Sequence, residues 1–217
     1  LAIWNIVVTK ERIAEPPKTE TPKLRDVYGH IIRNKPLILY MLSEILGPGM
    51  SVGYGLMTYN KGTIAIHSSC IVADGTAVIF LGESGTGKST HSRLWLNHID
   101  DTELLNDDNP VVRVHGTDVI VYGTPWSGKT PCYKNMQVPL KAVVRLSQAP
   151  YNKIARLAPL QSFASLMPAC SCKRWDGEAM SQLHKAVEKT ISIVPCYHLE
   201  CLPDEAAAVL CHSTVSK

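Results

Sequence analysis

The sequence predicts an α/β fold in which a strand-rich middle part is followed by a more helical C-terminal part. Short runs rich in β-branched and aromatic residues recur between residues 63 and 148, which is typical of strands. Apolar residues recur at helical spacing between residues 178 and 193, which is typical of a helix with one buried face. A glycine-rich loop separates a buried-strand pattern (AVIFL) from a helical pattern near residue 82.

The strands are expected in a definite order. A run at residues 63–72 is joined to a second run at residues 76–81 by Asp74-Gly75, a dipeptide that favours a hairpin turn. A loop is expected at residues 123–132. Further strands are expected at residues 103–105, 111–114, 119–122, 140–146 and 197–199.

The first helix is expected at residues 89–98, directly after the glycine-rich loop, with Leu94 and Trp95 on its apolar side. Pro203 favours a helix start immediately after it. Further helices are expected at residues 160–167, 178–193 and 204–210. Residues 1–62 are predicted to form an irregular N-terminal segment that is the remainder of a truncated region, and residues 63–217 to form the main domain.

Composition restricts the class of protein. The chain has 217 residues, 45% apolar and 19% charged, as in a globular domain. Its net charge is only +3 and its basic residues are scattered, so neither a nucleic acid nor a membrane surface is expected as a partner. Seven cysteines in mostly apolar surroundings and the lack of a visible leader predict reduced thiols in a cytoplasmic protein. Whether the protein forms a homo-oligomer is left open by the sequence.

The glycine-rich loop carries the clearest functional signal. Residues 82–89 fit the pattern G-x-x-x-x-G-K-[ST] at every fixed position, and a strand before and a helix after complete the context of a P-loop. Glycines let backbone N–H groups turn toward phosphate oxygens, and the start of the helix adds positive potential. The residues expected to bind ATP are Gly82, Glu83, Ser84, Gly85, Thr86, Gly87, Lys88, Ser89 and Thr90.

Two further features predict the rest of the site. The strand-like Leu104-Leu105 is followed by Asn106, Asp107 and Asp108, where acids can hold Mg²⁺ or accept a proton from a hydroxyl. A polar turn is the alternative interpretation of this segment. His67 lies fifteen residues before Gly82, and a hairpin through Asp74-Gly75 would bring it next to the loop.

The run IHSSCIVADGTAVIFLGESGTGKST, followed by LLNDDNP, resembles the P-loop kinases grouped with HPr kinase/phosphorylase and ATP-dependent phosphoenolpyruvate carboxykinase. The resemblance implies a strand-rich mixed sheet, with Lys88 at the phosphates and Ser89 and Asp108 at Mg²⁺. It further implies that Asp107 is the catalytic acid/base and that His67 lies near the metal or the γ-phosphate.

The chain also departs from those families. It lacks a Glu-Ile-Arg-Gly motif and a Pro-Gly-Arg-Asn stretch, so HPr itself is not the expected substrate. In their place stands a loop in which Lys129 either reaches the transferred phosphoryl group or lies in solvent. The cysteines at 170, 172, 196 and 201, with His198, do not have the spacing of a zinc site, so we expect them in the core. Packing rather than adenine stacking is expected of Trp95 and Trp126.

Together these features predict an ATP- and Mg²⁺-dependent kinase. It would transfer the γ-phosphoryl group to a hydroxyl on a protein or peptide serine or on a small molecule, with Asp107, Lys88, His67 and Lys129 as catalytic residues. The alternative is a nucleotide-binding regulatory or assembly module that transfers nothing. Carboxylation-linked chemistry on an oxaloacetate-like acid is the least favoured, because its substrate residues are not found.

Overall fold

The computed structural model describes residues 62–124, 130, 132, 134–172 and 174–217. Over these residues the protein has a mixed α/β fold, which confirms the expected α/β class with a strand-rich sheet. Apart from Gly62, the N-terminal segment at residues 1–62 lies outside the described residues.

The elements are numbered here in chain order. The strands are β1 (Thr63–Ala65), β2 (Ser69–Ala73), β3 (Thr76–Leu81), β4 (Glu103–Asn106), β5 (Val111–His115), β6 (Asp118–Tyr122), β7 (Gln137–Gln148), β8 (Lys153–Arg156) and β9 (Cys196–Cys201). The helices are α1 (Lys88–His98), α2 (Pro159–Leu166), α3 (Gly177–Ile193) and α4 (Glu205–Val215), and a 3-10 turn spans Met167–Ala169.

The long strand β7 organises the sheet. Its first residues pair with β6, which leads through β5 to β1, and all of these pairings are antiparallel. Its remaining length pairs in parallel with β3 on one side and β9 on the other. Strands β2 and β4 continue beyond β3 as antiparallel neighbours, and β8 closes the other end against β9. The sheet is therefore mixed, as the sequence resemblance implied.

This topology creates one edge where several strands meet, which we call the carboxyl edge. Parallel β3, β7 and β9 all end there, and so does β4. Because β2 runs antiparallel to β3, its first residue is at this edge, with Ser69 opposite Phe80. The loop after β3, the acids after β4 and the residues before β2 are thus brought to the same edge.

The expected hairpin between β2 and β3 is confirmed. Asp74 and Gly75 both have positive φ, 50° and 70°, as a two-residue turn that matches strand twist requires. The single strand expected at residues 63–72 is wrong, because the chain divides into β1 and β2, which pair with different partners. The segment between them bonds elsewhere: His67 N–H donates to Ala169 O and Ser68 N–H donates to Asp108 O, at 2.8 and 2.7 Å.

Alternating residues of the strands build two cores on opposite faces of the sheet. Ile79 and Leu81 face α2 and α3, whereas Val78 and Phe80 face α1 and α4. Trp95 of α1 is fully buried against Phe80, which confirms packing rather than adenine stacking for this side chain. The loop between β3 and α1 is anchored on both sides by this packing.

Two features of the C-terminal part were not expected from the sequence. Strand β8 is a mostly exposed edge strand with little apolar pattern, and β7 is longer than the expected 140–146 at both ends. Helices α2 and α3 lie within one residue of their expected bounds, whereas α4 continues beyond residue 210 to Val215. Over the described residues, the helices are too short or too polar for any to span a membrane.

Candidate functional site

The loop from Gly82 to Gly87 contains two positions whose backbone conformation strongly favours glycine. Gly85 and Gly87 have φ values of +83° and +108°, in the left-handed region that side chains disfavour. At Gly82 an added Cβ would lie 3.1 Å from the Thr86 side chain, so this position is closely packed. Both the N–H and the hydroxyl of Thr86 donate to Glu83 O, which closes the loop on itself.

The loop leads directly into the start of α1. The N-cap residue is Gly87, which has no side chain with which to cap the helix, and the first turn contains no acid. The first N–H groups of an α-helix have no partner within the helix. At α1 they belong to Lys88, Ser89 and Thr90, and together with the helix dipole they favour a negatively charged group at this end.

Lys88 lies over the loop that precedes it. Its ammonium donates to Gly82 O at 2.8 Å and to Glu83 O at 3.3 Å. Partial burial lowers the pKa of Lys88, and the nearby negative charge of Asp108 acts in the opposite direction. Lys88 and Asp108 therefore influence each other electrostatically although they are twenty residues apart.

Asp108 interacts with both His67 and Lys88. Its Oδ1 lies 3.3 Å from Nδ1 of His67, and the His67 side chain is about half exposed. The hydrogen bond from His67 is the main cause that lowers the pKa of Asp108, with smaller contributions from Asn109 and from Lys88, while burial partly opposes them. A carboxylate that stays ionised beside the glycine-rich loop is suited to hold a divalent cation.

Asn106 fixes the turn that carries both acids, a role that the sequence analysis did not assign to it. The side chain is fully buried, and its Oδ1 accepts the N–H groups of Asp108 and Asn109, each at 2.9 Å. Its Nδ2 donates to the Thr124 hydroxyl at 2.7 Å. The signal was present as the turn-forming run Asn-Asp-Asp-Asn, because Asn favours turns in which its side chain accepts nearby backbone N–H groups. The structure therefore confirms the polar turn, while a role of the two acids in Mg²⁺ binding or proton transfer stays a prediction.

Asp107 points to a different neighbour from Asp108. It is 9% exposed, and its Oδ2 accepts the N–H of Thr130 at 2.7 Å. This hydrogen bond ties the acid to the end of the loop at 123–132. Lys129, the residue before Thr130, lies outside the described residues, and so does Trp126.

The structure thus brings three of the expected site residues into one connected group, and the other expected residues lie outside that group. Lys88, Asp108 and His67 form one connected group next to the loop. Ser89 lies in the first turn of α1 and is partly exposed, while Thr90 and the loop residues Glu83 and Ser84 are exposed.

The cysteines are free and mostly buried. Burial raises the pKa of Cys170 and Cys196, so these thiols stay neutral. His198 is hydrogen-bonded through Nε2 to the Ser147 hydroxyl at 2.8 Å. In the part of the chain that the structure describes, no group of three or more His, Cys, Asp or Glu residues is arranged to hold a metal ion.

Comparisons with known proteins give a matching family model and matching solved structures. Residues 48–201 match the family model described as "SynChlorMet cassette protein ScmC". A search of curated proteins found no match. The HPr(Ser) kinase/phosphatase from Coxiella burnetii is a similar solved structure, at 14% sequence identity and a TM-score of 0.40, over 70% of this chain and 88% of that one.

Proposed function

The chain belongs to the SynChlorMet cassette protein ScmC family, whose description names no reaction. From the site itself, we propose that the protein is an ATP- and Mg²⁺-dependent kinase that phosphorylates a hydroxyl. The observation that carries the proposal is the position of Asp108. One carboxylate lies within 3.3 Å of His67 and close enough to Lys88 to affect its pKa, beside a glycine loop at a helix start. Such a combination of loop, lysine and acid is typical of phosphoryl transfer.

The loop and the start of α1 would bind the phosphates of ATP. The N–H groups at the start of α1 have no partner within the helix and favour an anion, and the positive φ of Gly85 and Gly87 allows the backbone to approach it closely. Lys88 now donates to two carbonyls of its own loop, so it would exchange these for the β- and γ-phosphate oxygens.

The oxygen donors at the site fit Mg²⁺. Asp108 is kept ionised by its neighbours, and Ser89 offers a hydroxyl in the first turn of α1. These two residues would hold the ion, which would supply neutralisation of charge on the phosphates. His67 would orient Asp108, since a hydrogen bond from a second residue fixes a ligand's direction.

Asp107 would act as the base. The acceptor oxygen forms a bond to the γ-phosphorus, the bond from that phosphorus to the bridging oxygen breaks, and ADP leaves. The hydroxyl proton passes to the Asp107 carboxylate. The hydrogen bond from Thr130 N–H to Oδ2 would hold this carboxylate in a fixed direction.

Two measurements test the proposal in sequence. Binding of MgATP is measured by calorimetry for the wild type, for Lys88→Ala and for Lys153→Ala, the last replacing an exposed lysine on β8. We expect Lys88→Ala to weaken binding at least tenfold and Lys153→Ala to leave it unchanged. Equal affinities in all three proteins, or no binding at all, would refute a phosphate role for the loop.

Transfer is then tested with [γ-³²P]ATP and a panel of hydroxyl-bearing peptides and small molecules. Asp107→Asn is the informative variant, because an amide oxygen still accepts the Thr130 N–H while the base is lost. We expect normal MgATP affinity and a loss of transfer of at least 10²-fold, within the range of general-base contributions. Normal transfer by Asp107→Asn would exclude this acid as the base.

A second candidate is a module that binds nucleotide without transferring phosphate. The hydrogen bond from Thr130 to Asp107 favours it, because an acid held by a backbone N–H is also suited to a purely structural role. The two candidates differ in ATP consumption. A kinase consumes ATP when its acceptor is supplied, whereas the module consumes none with any acceptor.

A further inference from the structure

A cleft at the carboxyl edge lies one strand away from the loop. Arg145 of β7 is paired in parallel register with Leu81 of β3, the residue immediately before Gly82. On its other side Arg145 is paired with His198 of β9. Since neighbouring strands are about 4.8 Å apart, Arg145 is placed one strand, and His198 two strands, from the start of the loop.

The cleft lies between this end of the sheet and α2. It has a volume of about 240 Å³ and is lined by Arg145, Leu157, Gln161, Ala164, Ser165 and His198. The lining offers a guanidinium, an amide, a hydroxyl and an imidazole, and none of these six residues is acidic. Arg145 is exposed, and no ion pair joins it to an acid among the described residues.

Two contacts connect the strand and the helix beside the cleft with the proposed phosphate site. The Gln148 side chain, at the end of the same strand as Arg145, donates to Gly85 O of the loop at 3.4 Å. Helix α2, which lines the cleft, leads into the 3-10 turn whose Ala169 O accepts the N–H of His67. The loop, His67 and the cleft are therefore linked by short paths of backbone and side chain.

We infer that this cleft is the acceptor subsite and that it binds the carboxylate of a small hydroxy acid. The inference rests on the proposed kinase function. An unpaired guanidinium matches a carboxylate through two parallel hydrogen bonds. With no acid in the lining, the cleft offers no partner for an ammonium, so an acceptor without a free amine fits better than a free amino acid.

Size and position agree with a small acceptor. Pockets for drug-sized ligands are usually about 300–1,000 Å³, so a cleft of about 240 Å³ suits a smaller molecule. The acid pair follows β4 and Arg145 lies on β7, with β2 and β3 between them, so three strand spacings place them roughly 14 Å apart along the sheet edge. A molecule with a hydroxyl at one end and a carboxylate at the other fits a separation of this order.

The test measures binding without ATP, so that its result does not depend on the kinase function. Calorimetry or ligand-observed NMR is carried out with D-glycerate and N-acetyl-L-serine, and with their neutral counterparts glycerol and N-acetyl-L-serinamide. The proteins are the wild type, Arg145→Gln, Arg145→Lys and Lys189→Gln, which removes a positive charge from the exposed side of α3. Melting temperature and MgATP affinity are recorded for each.

We expect the wild type to bind at least one carboxylate probe at least tenfold more tightly than its neutral counterpart. Arg145→Gln should abolish that preference, Arg145→Lys should keep part of it, and Lys189→Gln should keep all of it. The inference is overturned if neither carboxylate is preferred, or if Arg145→Gln binds as the wild type does. It is also overturned if Arg145→Gln weakens MgATP instead, because the cleft would then belong to the nucleotide. Failure of MgATP to bind any variant would refute the kinase and leave the carboxylate result to be judged by itself.

Discussion

His91 gives the structure a pH dependence whose size can be worked out. The ring is 2% exposed, lies edge-on to Phe80, and accepts the indole N–H of Trp95 through Nε2 at 3.1 Å. With Nε2 as the acceptor, the neutral ring carries its proton on Nδ1, which is buried and has no partner among the described residues. A second proton would have to replace the hydrogen bond to Trp95. Burial accordingly lowers the pKa of His91 from 6.5 to about 4.

The sign of the effect follows from this lowered pKa. Between about pH 6.5 and pH 4, His91 is protonated in the unfolded chain but not in the folded protein. Its contribution to the free energy of unfolding is therefore fully present above pH 6.5 and is lost as the pH falls toward 4. The lowering of the pKa from 6.5 to about 4 corresponds to roughly 3.5 kcal/mol at about 1.4 kcal/mol per pKa unit. About 2 kcal/mol of this should be lost between pH 7.5 and pH 5.

The assay is urea unfolding at pH 7.5 and pH 5, comparing the wild type with His91→Gln. Glutamine can still accept the Trp95 N–H but does not titrate. The variant should lose about 2 kcal/mol less than the wild type over this interval. Asn97→Gln, at an exposed residue of the same helix that does not titrate, should lose as much as the wild type. Equal pH dependence in His91→Gln and the wild type would refute the assignment of a neutral buried ring.

Three further predictions concern the site. Asn106→Ala should destabilise the protein by about 3 kcal/mol in urea unfolding, because two backbone N–H groups lose their acceptor; no loss of stability would contradict the turn. His67→Ala should raise the pKa of Asp108, so the acid limb of MgATP binding, followed by calorimetry from pH 4 to 8, should move to higher pH; an unmoved limb would contradict the contact. Gly85→Ala and Gly75→Ala should each lower the free energy of unfolding by about 1 kcal/mol, because both positions have positive φ. Only Gly85→Ala should weaken MgATP binding. Equal MgATP affinities of the two variants would contradict the phosphate role of the loop.

The local elements around the loop could be predicted from the sequence because each has a strong local signal. Asp74-Gly75 determines the hairpin, and the structure places both residues at positive φ. Apolar spacing located α3 to within one residue. Glycine positions that need positive φ, such as Gly85 and Gly87, are visible in the sequence as part of the loop pattern.

Long-range pairing could not be predicted in the same way. Residues 63–72 look like one strand, yet β1 and β2 bond to different neighbours because His67 and Ser68 pair with Ala169 and Asp108. Strand β8 is an edge strand with one partner and mostly exposed residues, so it carries almost no apolar signal. The position of Arg145 next to the loop depends on the parallel pairing of β7 with β3, which local sequence does not reveal.

The acid pair could be located from residue type alone, but the direction of each acid could not. Adjacent residues in a regular strand point to opposite faces, but these two follow the strand in a turn held by Asn106, whose oxygen accepts the N–H of Asp108. In that turn Asp108 faces His67 and the field of Lys88, while Asp107 accepts the N–H of Thr130. The backbone of this turn therefore directs the two neighbouring carboxylates to different partners. Under the proposed mechanism the two variants should therefore have different defects. Asp107→Asn should lose phosphoryl transfer and keep its MgATP affinity, whereas Asp108→Asn should lose MgATP affinity. The same defect in both variants, measured by calorimetry and [γ-³²P]ATP transfer, would show that the two acids act as one group and that the turn does not separate them.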